Sequence, residues 1–227
     1  AAVMAKRSLS AKGGVLSISR VTVTLDAAGG VSSLKVDGVE YAGAATENLK
    51  FGVPVLERVA SGVRTDMFDQ VDLESPDWNK AWHRDWKAER FSGTLTGTTE
   101  AVERGNARIV QNFSLPNGDK VDVLYRLVGE EPVLHVEATV AKQPIIEPHA
   151  LYLPMPTALG EGWDCHYETG GAVVKLDDEQ LPYASRHYIT AQRFIRIGDT
   201  KSEVTVACPD APLWQVGGYT FGRFNDP

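Results

Sequence analysis

Two groups of residues are of types that could act on, or hold, a small molecule. The first is Trp163-Asp164-Cys165-His166-Tyr167-Glu168. On an extended strand, residues i, i+2 and i+4 share a side, so Asp164, His166 and Glu168 would face one way. Upstream, Glu147 and His149 share a face by the same rule. A His acid with a carboxylate base can relay protons during sugar ring opening, because each is tunable toward neutral pH. A carboxylate and two imidazoles are also metal-donor types. Same-face neighbours on a strand stand roughly 7 Å apart, so one face alone makes a loose site. A hydrogen-bonded polar face in a groove is the plainer account of the same pattern.

The second group is aromatic. Ser75-Pro76-Asp77 opens like a helix, with Ser as N-cap, Pro at the first position and an acid in the first turn. Trp78, Trp82 and Trp86 then recur every four residues, among Lys80, His83, Arg84, Asp85, Lys87, Glu89 and Arg90. On a helix they would form one stripe about 12 Å long, at 1.5 Å per residue. Aromatic faces stack on sugar C–H surfaces, and flanking charges can bond hydroxyls. The simpler alternative is that the three indoles pack the segment onto a sheet and close one end of the core.

The elements that must carry these residues are strands. Val15 to Leu25 alternates apolar and polar residues, and so reads as one strand. Val31–Val36 and Val39-Glu40-Tyr41 flank Asp37-Gly38, a strong hairpin signal because both central residues tolerate positive φ. Further strands are predicted at Phe91–Glu100, Ala107–Leu115, Lys120–Leu127, Pro132–Ala141, His149–Pro154, Gly171–Lys175, Tyr188–Ile197 and Val204–Cys208, with Asn117-Gly118 as a second hairpin turn. Many short strands with regular turn signals imply an all-β sandwich or barrel. No strand–helix–strand alternation points to a parallel sheet. The expected organisation is a loose N-terminal tail over residues 1–12 and a single β-sandwich domain over 13–227, with a short helical or irregular insertion near 75–90.

Composition narrows the function classes. The 227 residues are 43% hydrophobic and 23% charged, enough for a sizeable core, and the net charge is −7. Nucleic-acid binders need a basic patch to displace counterions, so nucleic acid is not an expected partner. An anionic membrane surface is disfavoured on the same ground, and no apolar run approaches the roughly 20 residues that span a bilayer. The N-terminal Ala1–Arg7 stretch lacks a signal-peptide core, and both ends read as those of a processed or excised chain. No compartment follows from this. Cys165 and Cys208 are expected to be buried thiols rather than a disulfide framework. Phosphate-loop, nucleophile-elbow, Cys-x-x-Cys and His-Glu-x-x-His motifs are absent, so no cofactor and no metal is expected.

Several stretches together resemble a known family. Leu16–Leu25 followed by Asp26-Ala27-Ala28-Gly29-Gly30-Val31-Ser32-Ser33-Leu34 resembles the first hairpin of the C-terminal β-domain of family 38 glycoside hydrolases, the α-mannosidases and their relatives. Phe51-Gly52-Val53-Pro54-Val55-Leu56-Glu57-Arg58 and Trp82-His83-Arg84-Asp85-Trp86 are similar to segments that follow in mannosidase-like proteins. Leu151-Tyr152-Leu153-Pro154, Thr169-Gly170-Gly171 and Cys208–Gly218, with its Asp-Ala-Pro-Leu run, fit the later part. The likeness covers most of residues 15–222, and it rests on the order of the motifs more than on any one of them.

The resemblance implies a galactose-mutarotase-like supersandwich, two large antiparallel sheets face to face. It also implies that the metal and the catalytic carboxylates belong to an N-terminal catalytic domain of the same polypeptide, so no catalytic residue carries over to this sequence. The expected role is a non-catalytic domain that supports or completes the sugar cleft of a glycoside hydrolase, with carbohydrate as partner. Trp78, Trp82, Trp86, His149, Trp163, Asp164, His166 and Glu168 are its candidate sugar-binding residues. Two rivals stand beside it. One is an aldose-epimerase-like enzyme using His149 or His166 with Glu168 or Asp164. The other is a binding or oligomerisation domain with the tryptophan stripe as its contact surface.

Overall fold

Val15–Leu25 does not run as one strand, and the reason is visible in its alternation. The buried residues are Leu16 and Ile18, then Val21, Val23 and Leu25. The phase passes from even to odd across Ser19-Arg20, where a two-residue turn with Ser19 at φ +36 reverses the chain. Ile18 and Val21 thereby become cross-strand partners on one face.

The computed structural model describes residues 9–46, 49–59, 88–129, 131–145, 149–181 and 188–217. These are all-β: the described residues form antiparallel sheets and no helix. They fall into two compact units, the first within 9–59 and 89–158, the second within 159–217.

The first unit opens with β1 (Ser10–Lys12), β2 (Val15–Ile18), β3 (Val21–Leu25), β4 (Val31–Val36) and β5 (Val39–Glu40), a five-stranded meander. Ser10–Lys12 lies in the stretch read as a tail, and it pairs with β2. After β6 (Val55–Val59) and β7 (Ala88–Ser92) comes a second meander. It comprises β8 (Thr94–Glu103), β9 (Asn106–Ser114), β10 (Lys120–Val128) and β11 (Leu134–Ala141), in spatial order β11-β10-β9-β8. Strand β12 (His149–Tyr152) completes a third sheet, β12-β6-β7.

The inner faces of the two meanders share one core. Leu16, Ile18, Val21 and Val23 supply one side, and Ile109, Phe113, Val121, Val123, Tyr125 and Leu127 the other. Strand β10 shows why, since Val121, Val123, Tyr125 and Leu127 on one side are buried, while Lys120 and Asp122 face out. Two sheets joined in this way make a β-sandwich.

The local turn chemistry behaves as its residue types require. Asp37 and Gly38 sit at φ +51 and +84, the two left-handed residues of a primed turn between Val36 and Val39. Asn117-Gly118 also lies in a hairpin loop, but a longer one, with Gly118 at φ +88 and Asn117 at negative φ. The predicted strand Phe91–Glu100 divides at Gly93, whose N–H donates to Pro54 O at 2.8 Å. The insertion expected near 75–90 lies outside the described residues, except that 88–90 already belong to β7.

The second unit holds β13 (Asp164–Thr169), β14 (Ala172–Lys175), β15 (Tyr188–Thr190), β16 (Phe194–Gly198), β17 (Glu203–Ala207) and β18 (Leu213–Gln215). Four of them form the sheet β14-β13-β16-β17, and β15 pairs with β18. The predicted Tyr188–Ile197 strand is thus two strands in different sheets, divided at Ala191–Arg193. Gly170 and Gly171, at φ +59 and +82, turn β13 into β14.

Candidate functional site

Strand β13 sorts its residues by parity, as the i, i+2, i+4 rule requires. Cys165 and Tyr167 point into an apolar cluster with Leu176, Ile189, Ala191, Ile195 and Val216. Asp164, His166 and Glu168 alternate with them on the opposite face. Burial pushes the Cys165 thiol up to about 11, aided by the charges of Asp164 and Asp177, so it is protonated and inert at neutral pH. Both cysteines are free, Cys165 buried and Cys208 half-buried.

The three polar residues of β13 differ in what holds them. His166 Nδ1 lies 3.6 Å from Asp164 Oδ1, an ion-pair distance too long for a hydrogen bond. Asp164 Oδ2 is 4.0 Å from Lys175 Nζ, and Lys175 Nζ is 2.7 Å from Asp178 Oδ2. Glu168 is only 3% exposed. It accepts from Arg193 Nε at 3.3 Å and from the Gly171 N–H at 3.2 Å. The Arg193 guanidinium, first among several donors, holds the Glu168 carboxyl below its usual range. A carboxylate with a lowered pKa is a weak proton acceptor near neutral pH, so Glu168 is better suited to bracing its hairpin than to general base work. Trp163, directly before β13, is 44% exposed.

The remaining sequence candidates lie elsewhere. His149 opens β12 in the first unit, opposite Arg58, with the Lys142 ammonium against its Nε2. Trp78, Trp82, Trp86 and Glu147 lie outside the described residues. Among the described residues, no group of three or more His, Cys, Asp or Glu is placed to hold a metal ion.

Sequence reasoning missed a buried polar cluster in the first unit. Glu57, on β6, is fully buried, yet its Oε2 lies 2.5 Å from Arg90 Nε and its Oε1 accepts from the Tyr152 hydroxyl at 3.0 Å. The one available signal was a charge closing the apolar run Val53-Pro54-Val55-Leu56. Two more residues were missed beside His166. Strand register sets Lys175 and Arg196 directly across from it on either side.

The class these features define is an all-β sandwich protein with a polar sheet face in its second unit. No family model, no curated protein and no solved structure matches the chain.

Proposed function

We propose that this chain is a carbohydrate-handling β-sandwich domain of α-mannosidase-like type, one that supports or completes a sugar cleft and is non-catalytic alone. The observation that carries this reading is the polar face of β13, where the exposed Trp163 indole precedes the Asp164–His166 pair. An indole offers a stacking surface for sugar C–H groups, and the pair offers acceptors and donors for hydroxyls. The ordered motifs over residues 15–222 supply the α-mannosidase-like element, and with it an N-terminal catalytic domain as partner. The non-catalytic role comes from the same resemblance, and the engagement of Glu168 with Arg193 and Gly171 is consistent with it.

The Asp164–His166 approach favours one rival, an epimerase-like proton relay, strongly enough to be tested beside it. The test is binding and turnover by the full chain on mannose-, galactose- and glucose-containing oligosaccharides, with anomer exchange followed by polarimetry. Binding without turnover is expected, weakened about tenfold in Trp163→Ala, the equivalent of roughly 1.4 kcal/mol. Hydrolysis of an α-mannoside, or anomer exchange abolished by His166→Ala, would overturn the non-catalytic role. Absence of saccharide binding would overturn the carbohydrate reading itself.

A further inference from the structure

The outer face of the β14-β13-β16-β17 sheet carries a row that no single strand reveals. Lys175 stands opposite His166, His166 opposite Arg196, and Arg196 opposite Thr205. Strands lie about 4.8 Å apart, so the row spans roughly 14 Å. Each of its four side chains is a hydrogen-bond donor, and two of them are always cationic near neutral pH. Lys175 and Arg196 lie two strands apart, about 10 Å, with His166 between them.

The carboxylates around the row flank it rather than fill it. Asp164 and Glu203 belong to the next row along, with Gly198 between them. Glu203 Oε2 lies 3.5 Å from Arg196 Nε, and Asp178 holds Lys175 from beyond the end of β14. On the other side Glu168 is taken up by Arg193 and Gly171. Among the described residues, neither Arg196 Nε nor His166 Nδ1 has a hydrogen-bond partner. The side chains of Lys175 and Arg196 are 37% and 43% exposed, so solvent reaches both while Asp178 and Asp164 stand at Lys175 and Glu203 at Arg196.

Resting on the carbohydrate reading above, we propose that this row recognises an acidic saccharide by its carboxylate or sulfate group. An oxyanion lying across the row would accept from Lys175, His166 and Arg196 together. The exposed Trp163, one residue before Asp164, offers a surface for the attached ring.

The test compares a galacturonic acid trisaccharide with the neutral galactose trisaccharide by calorimetry at low salt, with sodium sulfate as a third probe. The acidic sugar is expected to bind about tenfold tighter than the neutral one, a magnitude ordinary for charge-assisted hydrogen bonds. That preference should vanish in both Lys175→Gln and Arg196→Gln, each checked for folding by its melting curve, and persist in Lys35→Gln of the first unit. Competition by sulfate alone would identify the oxyanion, apart from its sugar, as the group recognised. Equal binding of the two trisaccharides, or a preference that survives both substitutions, would overturn this inference and leave the carbohydrate reading standing. Binding of neither trisaccharide would overturn both.

Discussion

In the first unit Glu57 is fully buried against Arg90, whose side chain is 24% exposed, and against the Tyr152 hydroxyl. In the second, Glu168 is almost as buried, but its arginine, Arg193, is 72% exposed. The two pairs are alike in residue type and differ in what water reaches. A pair shut away from water must be matched closely, because desolvation of both charges offsets much of their attraction. A pair with one member in water keeps most of that member's hydration and is screened. The contrast extends to the units that carry them. The first packs two sheet faces against one another around Tyr125 and Phe113, whereas the second buries one face of its four-stranded sheet and leaves the other polar.

The largest effect that separates the units is expected at a glycine. Gly52 sits at φ +74 beneath Tyr125, whose hydroxyl donates to Gly52 O at 3.2 Å, and a Cβ there would lie 2.0 Å from that hydroxyl oxygen. Burial raises the Tyr125 phenol well above its usual pKa, so the hydroxyl stays protonated as the donor. Gly52→Ala should cost about 3 kcal/mol or more, from backbone strain and overpacking together. Gly170 has a similar φ, +59, but nothing within 4 Å of an added Cβ. Gly170→Ala should cost about 1 kcal/mol, the left-handed backbone penalty alone. Urea unfolding of both variants tests the difference, and equal costs would mean that the Tyr125 hydroxyl over Gly52 yields without penalty.

Next in size is removal of the two glutamates. Glu57→Ala deprives Arg90 of a wholly buried partner and should cost about 3 kcal/mol. Glu168→Ala should lower the melting temperature less, since Arg193 is already in water. The reverse order in thermal melts would mean that exposure of the arginine does not set the worth of the pair.

The smallest effect concerns pH. Glu168 has its folded pKa lowered from the ordinary 4.5, chiefly by Arg193. Asp199 has its own lowered from 3.8, first by the Gly160 N–H and then by those of Lys201 and Ser202. A lowered folded pKa contributes stability that is complete above the ordinary value and is lost as pH falls through the folded one. Melting temperatures should therefore be flat from neutral pH down to about 5 and fall below it. Glu168→Gln should start lower at neutral pH and converge on the unsubstituted protein in acid. Parallel curves would remove Glu168 from the acid response.

Much of the fold was legible because its signals are local. Alternation located most strands of both meanders, though not β1, and Asp37-Gly38 marked a turn whose positive φ values few other residue pairs tolerate. What escaped was also local but weaker. The turn at Ser19-Arg20 carries no glycine or proline, and only the shift of apolar residues from even to odd positions betrays it. In the candidate site, the shared face of Asp164, His166 and Glu168 followed from period two. The separation of Glu168 from the His166 pair did not, because it depends on Arg193, 25 residues further along.

The sequence by itself determined the β class, the hairpins and the side of β13 to which each residue points, since backbone sterics and side-chain alternation act within a few residues. Tertiary structure alone decided which strands became neighbours. Register across β14, β13 and β16 set Lys175 and Arg196 on either side of His166. Packing also drew Gly52 beneath Tyr125 and closed Glu57 from water against Arg90. These are pairings between segments far apart in the chain, and which of them form is settled by how the apolar faces fit together rather than by any residue's own preference.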